Sequence, residues 1–106
     1  MTHKFLKSLT SKYDSPLYVY DAEKIISQYN KLNNAFSSVK SLKINYATKA
    51  LSNISILKIF KSLNAGLDTV SVQEVQLGLK AGFDPQDIIF TPNGVSLDER
   101  QPFAPV

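Results

Sequence analysis

Lys49 stands two residues past Ala47, the last apolar position of Lys43-Ile44-Asn45-Tyr46-Ala47. That stretch alternates polar and apolar residues, the period of a strand. In parallel α/β folds the carboxyl ends of the strands are where ligands sit and chemistry happens. A lysine there, partly buried and beside another cation, gives up its proton more readily, and the neutral amine is a nucleophile that forms imines with aldehydes. Anywhere else a lysine is an ordinary solvated charge. Two acids stand at comparable places. Asp68 ends the apolar run of a second short strand, Leu67 to Val70. Glu74 closes Ser71-Val72-Gln73-Glu74, which has the form of a capping box. The box alone is a complete structural reason for Glu74, and a polar strand end is one for Asp68.

The elements that must position these residues read as strands alternating with helices. Residues 1–15 are rich in Ser, Thr and Lys without a sustained period, which predicts a frayed or weakly helical start. Pro16 opens Leu17-Tyr18-Val19-Tyr20, aromatic and β-branched, a short strand. Asp21 is placed to cap a helix whose apolar face is Ile25, Tyr29, Leu32 and Phe36, fraying at Asn33-Asn34. Residues 37–41 are a loop, and a strand over 42–47 leads into the Lys49 loop. Ser52 or Asn53 caps a helix with Ile56, Ile59, Phe60 and Leu63 on one face. Asn64-Ala65-Gly66 ends it, with Asn or Gly able to take the left-handed turn. After Ser71 a helix carries Val72, Val75 and Leu79 on one face. Gly82 closes that helix, with Pro85 three residues beyond. Ile88-Ile89-Phe90 is a third strand and Pro92-Asn93-Gly94 a turn. Strands beginning near 42, 66 and 87 with helices between them predict a parallel sheet with right-handed crossovers. A closed barrel and a doubly wound sheet are equally open on this pattern.

The 106 residues suffice for one small domain, and 43% hydrophobic with 20% charged is ordinary for a globular protein. No run of eighteen apolar residues exists, so no membrane span is expected, and the first residues lack the apolar core of an export signal. Cytoplasm is therefore the expected location. The net charge of +3 comes from basic residues scattered singly, without a nucleic-acid motif, so no nucleic-acid partner is expected. The absence of cysteine rules out disulfides and thiolate metal sites within this chain. His3, alone and near the terminus, cannot build a metal site.

Tyr46-Ala47-Thr48-Lys49-Ala50, followed by Asn53, resembles the Tyr-Ala-x-Lys-Ala-Asn segment of the fold-type III pyridoxal-phosphate decarboxylases. The resemblance runs from Pro16-Leu17-Tyr18-Val19-Tyr20-Asp21 to about Glu99. It takes in Gly66-Leu67-Asp68-Thr69-Val70-Ser71, Glu74, Ala81-Gly82-Phe83 and Ile88 to Gly94. Leu51 departs from it, standing where the family has asparagine after Lys-Ala.

The resemblance implies the amino-terminal part of a (β/α)₈ TIM-type barrel, which needs about 250 residues in full, so the chain is expected to be an amino-terminal fragment and inactive by itself. It implies a division into residues 1–21, a leading segment and strand that would pair with a β-domain outside this chain, and residues 22–99, the first β/α units of a cofactor-binding barrel. The tail 100–106 carries Pro102 and Pro105 where the box Ser96-Leu97-Asp98-Glu99 calls for a helix. It is expected to be foreign to the fold, from a frameshift or truncation; a divergent loop is the alternative.

By the same resemblance the cofactor is pyridoxal 5′-phosphate, and Lys49 carries it as a Schiff base. Asp68 and Glu74 stand 19 and 25 positions after Lys49, the spacing of two acids in the ornithine decarboxylase branch. Their implied role is to pair with the lysine ammonium once it is released, and Asp68 joins Lys49 and Ala47 against the cofactor. Ala47 and Asn53 shape the pocket rather than react. The phosphate-binding glycine loop, the acid on the pyridine nitrogen, the stacking histidine, the substrate arginine and the residues lent by a partner subunit all lie outside these residues.

Within the family, the alanine racemases follow their lysine with a different segment. The single-domain carrier barrels usually lack the Pro16–Asp21 and Phe90–Gly94 stretches. The resemblance implies, as the first expectation, decarboxylation of meso-diaminopimelate to L-lysine by a homodimer acting on a small amino acid. Ornithine- or arginine-type decarboxylation comes next, and a carrier barrel or a partner-binding non-catalytic paralogue are the readings of another class.

Overall fold

Three short polar side chains stop extended backbone and start the helices that flank the sheet. The structure, a computed structural model, describes residues 1–94, 96 and 98. Asp21 caps α2 (Ala22–Ala35), its carboxylate accepting from the Lys24 amide at 3.1 Å. Asn53 rather than Ser52 caps α3 (Ile54–Ser62), accepting from the Ser55 amide at 2.9 Å. Ser71 caps α4 (Val72–Lys80), accepting from the Glu74 amide at 3.2 Å. Each such bond satisfies a helix donor that has no partner of its own and contributes about 1 kcal/mol. Asn64, at φ 59°, takes the left-handed turn after α3. Past α4, the Gly82 amide donates to the Leu79 carbonyl and the Phe83 amide to that of Gly78, at 3.0 and 3.1 Å. This Schellman closure uses the φ of 95° at Gly82.

The three strands are β1 (Asn45–Ala47), β2 (Gly66–Thr69) and β3 (Ile88–Phe90), in that order and all parallel. The register aligns Tyr46 with Leu67 and Leu67 with Ile88, and on the next row Ala47 with Asp68 and Asp68 with Ile89. Alternation puts the two rows on opposite faces. The first row meets the helices: Leu57, Leu67, Ala81 and Phe83 form the buried cluster, with Tyr46, Ile54, Phe60, Leu77 and Ile88 packed against it. The second row faces away from them and is open, with Ile89 47% exposed. Gly78 sits where α4 crosses Leu67; a Cβ there would come within 2.6 Å of a Leu67 methyl. Among the described residues no helix is long and apolar enough to cross a membrane.

Several local expectations are corrected. Residues 1–15 hold a full three-turn helix, α1 (His3–Tyr13), capped by Thr2 and without a buried residue. Leu17–Tyr20 pair with no strand among the described residues, in keeping with the expectation that their partner is a β-domain outside this chain. α2 runs straight through Asn33-Asn34 to Ala35, since helix propensity is a weak preference over two residues. Leu79 is 40% exposed and Leu57 fully buried, against the faces read from spacing. The second capping box at 96–99 and the tail 100–106 lie largely outside the described residues.

Candidate active site at the carboxyl ends of the strands

Lys49 sits on a 3₁₀ turn, Thr48–Ala50, that follows β1 directly. Thr48 is wholly buried and Lys49 exposed, so the turn is anchored from inside while the amine is left outside. The turn is closed twice. The Leu51 amide donates to the Thr48 carbonyl at 3.1 Å, and the Tyr46 hydroxyl donates to the Leu51 carbonyl at 3.0 Å. Tyr46 is itself fixed by stacking on Phe60, with ring centroids 4.0 Å apart, and Tyr29 meets Phe60 edge-on at 6.3 Å. Burial pushes the Tyr46 phenol above its ordinary range, so the hydroxyl keeps the proton it donates. Sequence reasoning took Tyr46 as part of a motif and missed this bracket, because the partner is a backbone carbonyl.

Asp68 lies on the open row beside its register partner Ala47. Its Oδ1 accepts from the Thr91 hydroxyl at 2.8 Å. Glu74 behaves as a modified capping box: its amide donates to Ser71 Oγ, but its Oε2 accepts from the Val70 amide at 2.7 Å. In the usual box the acid returns to the amide of the cap residue itself. Here it reaches one residue further back and pins the backbone where β2 ends. Glu74 therefore holds the loop beside the site. The register thus brings Ala47 and Asp68 together and sets Lys49 just beyond them at the same sheet end. Among the described residues Lys49 forms no ion pair with Asp68 or Glu74; the ion pair found there is Lys43–Asp87, 2.9 Å, at the amino ends of the strands.

A cavity of about 610 Å³ opens elsewhere, between α2 and β1, with Tyr20, Ile25, Tyr29, Ile44 and Phe60 in its walls. Ala47 borders it, but Lys49, Asp68 and Glu74 do not. Its lining is mostly apolar, with Asp21, Lys24 and Asn45 among the residues that border it.

The donor set fits one end of pyridoxal phosphate. An exposed primary amine on a braced turn suits the aldehyde, and a carboxylate fixed on the open face suits a cation beside it. The phosphate finds no cradle among the described glycines. A Cβ on Gly66 would strike Asn45 and the Asp87 carbonyl, Gly78 is pressed against Leu67, and Gly82 and Gly94 serve turns.

Comparison with known proteins decides the family. A model described as the pyridoxal-binding domain of the pyridoxal-dependent decarboxylases matches residues 22–99. The chain belongs to the pyridoxal-dependent decarboxylases. It is 40% identical over 94 residues to diaminopimelate decarboxylase of Methanothermobacter thermautotrophicus, covering 88% of this chain and 22% of that protein. It is 43% identical over 93 residues to the Helicobacter pylori J99 enzyme of the same name, covering 88% and 23%. The crystal structure of Helicobacter pylori diaminopimelate decarboxylase complexed with L-lysine superposes with a TM-score of 0.83 at 39% identity, over 92% of this chain and 25% of that one. The fold is that of the amino-terminal barrel domain of fold-type III decarboxylases, which settles the barrel against the doubly wound sheet. Pyridoxal phosphate is the cofactor of this pyridoxal-dependent family. The chain spans about a quarter of the length of these relatives.

Proposed function

We propose that the whole protein decarboxylates meso-diaminopimelate to L-lysine, with Lys49 holding the cofactor. The observation that carries the reading is an exposed lysine on a braced turn at the carboxyl end of β1, in a chain about 40% identical to diaminopimelate decarboxylases. Pyridoxal phosphate, when bound, supplies the electron sink for the pair left as the carboxylate departs. Lys49 Nζ would hold the cofactor through its aldehyde and, as a free amine beside it, would hold or move a proton. Asp68 balances the charge of that ammonium from the open face. Glu74, through the Val70 amide, keeps the end of β2 in place, and its carboxylate strengthens the negative potential there. Ala47 leaves room beside Asp68. The phosphate and the substrate's far end are held by residues outside this chain, in a homodimer within the cytoplasm.

Assays of CO₂ release from meso-diaminopimelate, L-ornithine and L-arginine test the substrate. The proposal expects meso-diaminopimelate to be turned over fastest, with L-lysine as product. The spacing of Asp68 and Glu74 behind Lys49, shared with the ornithine branch, supports ornithine or arginine as the second reading, and faster turnover of either would favour it.

A further inference from the structure

We propose that Thr91 is a positioning residue that fixes the Asp68 carboxylate for the Lys49 ammonium; this rests on the assignment of Lys49 as the cofactor lysine. Thr91 follows β3 at the carboxyl end of the sheet. Its backbone needs nothing from its side chain, because the Thr91 amide already donates to the Thr69 carbonyl at 2.8 Å. The two strand ends are laced once more by the Thr69 hydroxyl, which donates to the Ile89 carbonyl at 2.9 Å. The Thr91 hydroxyl is therefore spare for another task. It has one proton and two acceptors in reach: Asp68 Oδ1 at 2.8 Å and the Thr69 carbonyl at 3.3 Å. The shorter contact is at the preferred length for such a bond, and its acceptor is charged, so the proton goes to Asp68.

The consequence is rotational. A carboxylate on an open sheet face turns about its χ angles unless something holds it. With Oδ1 taken by Thr91, the Asp68 carboxylate is set in one orientation and Oδ2 keeps its lone pairs for a cation. The residue on which Asp68 depends lies just past the end of the neighbouring strand, 23 positions away in the chain. The role of Thr91 falls at the moment Lys49 is displaced, when a new ammonium needs a partner. It places Thr91 outside contact with the reacting atoms.

Thr91→Val tests this in the full-length holoenzyme, since valine keeps the β-branched shape and the backbone bond and removes only the hydroxyl. Two readouts are taken: kcat, and the apparent dissociation constant for L-lysine, followed by the visible absorbance of the bound cofactor. Thr91→Val should lower kcat by about tenfold and weaken L-lysine by a similar factor, with the melting temperature unchanged. Thr91→Ser should restore both. In an Asp68→Asn background Thr91→Val should add nothing, because the group it orients is already gone. Borohydride mapping on the same samples separates the failures. Cofactor on Lys49 together with a wild-type Thr91→Val, or with effects that multiply in the double variant, overturns the role of Thr91 alone. Cofactor on another lysine overturns the assignment of Lys49 and this inference with it.

Discussion

The Tyr46 hydroxyl donates to the Leu51 carbonyl at 3.0 Å, across the turn that carries Lys49. The ring is pinned by Phe60 on one side and the hydroxyl by Leu51 on the other, so three residues of turn hang between two fixed points. The lysine itself makes no ion pair among the described residues. Its position is set by the backbone beneath it. Removing the hydroxyl with Tyr46→Phe leaves the stacking intact and frees the Leu51 carbonyl. Stability should fall by about 1 kcal/mol, and kcat should fall several-fold as the turn loosens. Urea unfolding and steady-state kinetics of the whole protein check both, and an unchanged kcat would show that the bracket does not govern Lys49.

The same residue predicts an alkaline weakness. Burial raises the Tyr46 phenol above its ordinary 10.0, so the folded state keeps the proton at a pH where the unfolded chain loses it. The contribution to stability is therefore full below about pH 10 and is lost as pH rises through the raised folded value. Ionisation also removes the proton given to Leu51. Urea midpoints between about pH 8 and pH 11 should fall more steeply for the wild type than for Tyr46→Phe. Parallel curves would remove Tyr46 as the cause.

Thr48 gives the opposite kind of test. It is fully buried, and among the described residues its Oγ1 has no hydrogen-bond partner. A buried hydroxyl without a partner costs about 1–3 kcal/mol. Thr48→Val has the same shape and should stabilise the protein by about 1 kcal/mol, read as a higher melting temperature. A destabilised variant would mean that the hydroxyl is satisfied in the native protein.

The parts of this structure that were legible in the sequence are those set by local chemistry. Asp21 and Ser71 announce their helices because a short acceptor beside free amides acts over three residues. Ile88–Phe90 is a strand as read, being three β-formers between turn residues. Lys49 falls on the turn directly after β1, the strand end its spacing predicts. What escaped depends on residues far away in the chain. Leu57 is buried because α3 is covered by the sheet, α2 and α4 together, which a single stripe cannot show. Gly78 has no side chain to give a signal and is buried because Leu67 arrives there. The bonds from Thr91 to Asp68 and from Tyr46 to Leu51 exist only once strand register and the 3₁₀ turn are set. The strand expected at 17–20 required a partner that no local pattern supplies.

The central claim is that Lys49 is the residue that bonds the cofactor. Borohydride reduction of the full-length holoenzyme, followed by peptide mapping, tests it most directly. The account predicts that the reduced cofactor is fixed to Lys49 alone. Lys49→Ala should lose both the bound-cofactor absorbance and most of the activity while the fold survives, since an exposed side chain on the turn carries little packing. Lys49→Arg should fail as well, because a guanidinium stays protonated. Reduced cofactor on Lys43, Lys58 or any other lysine would contradict the account.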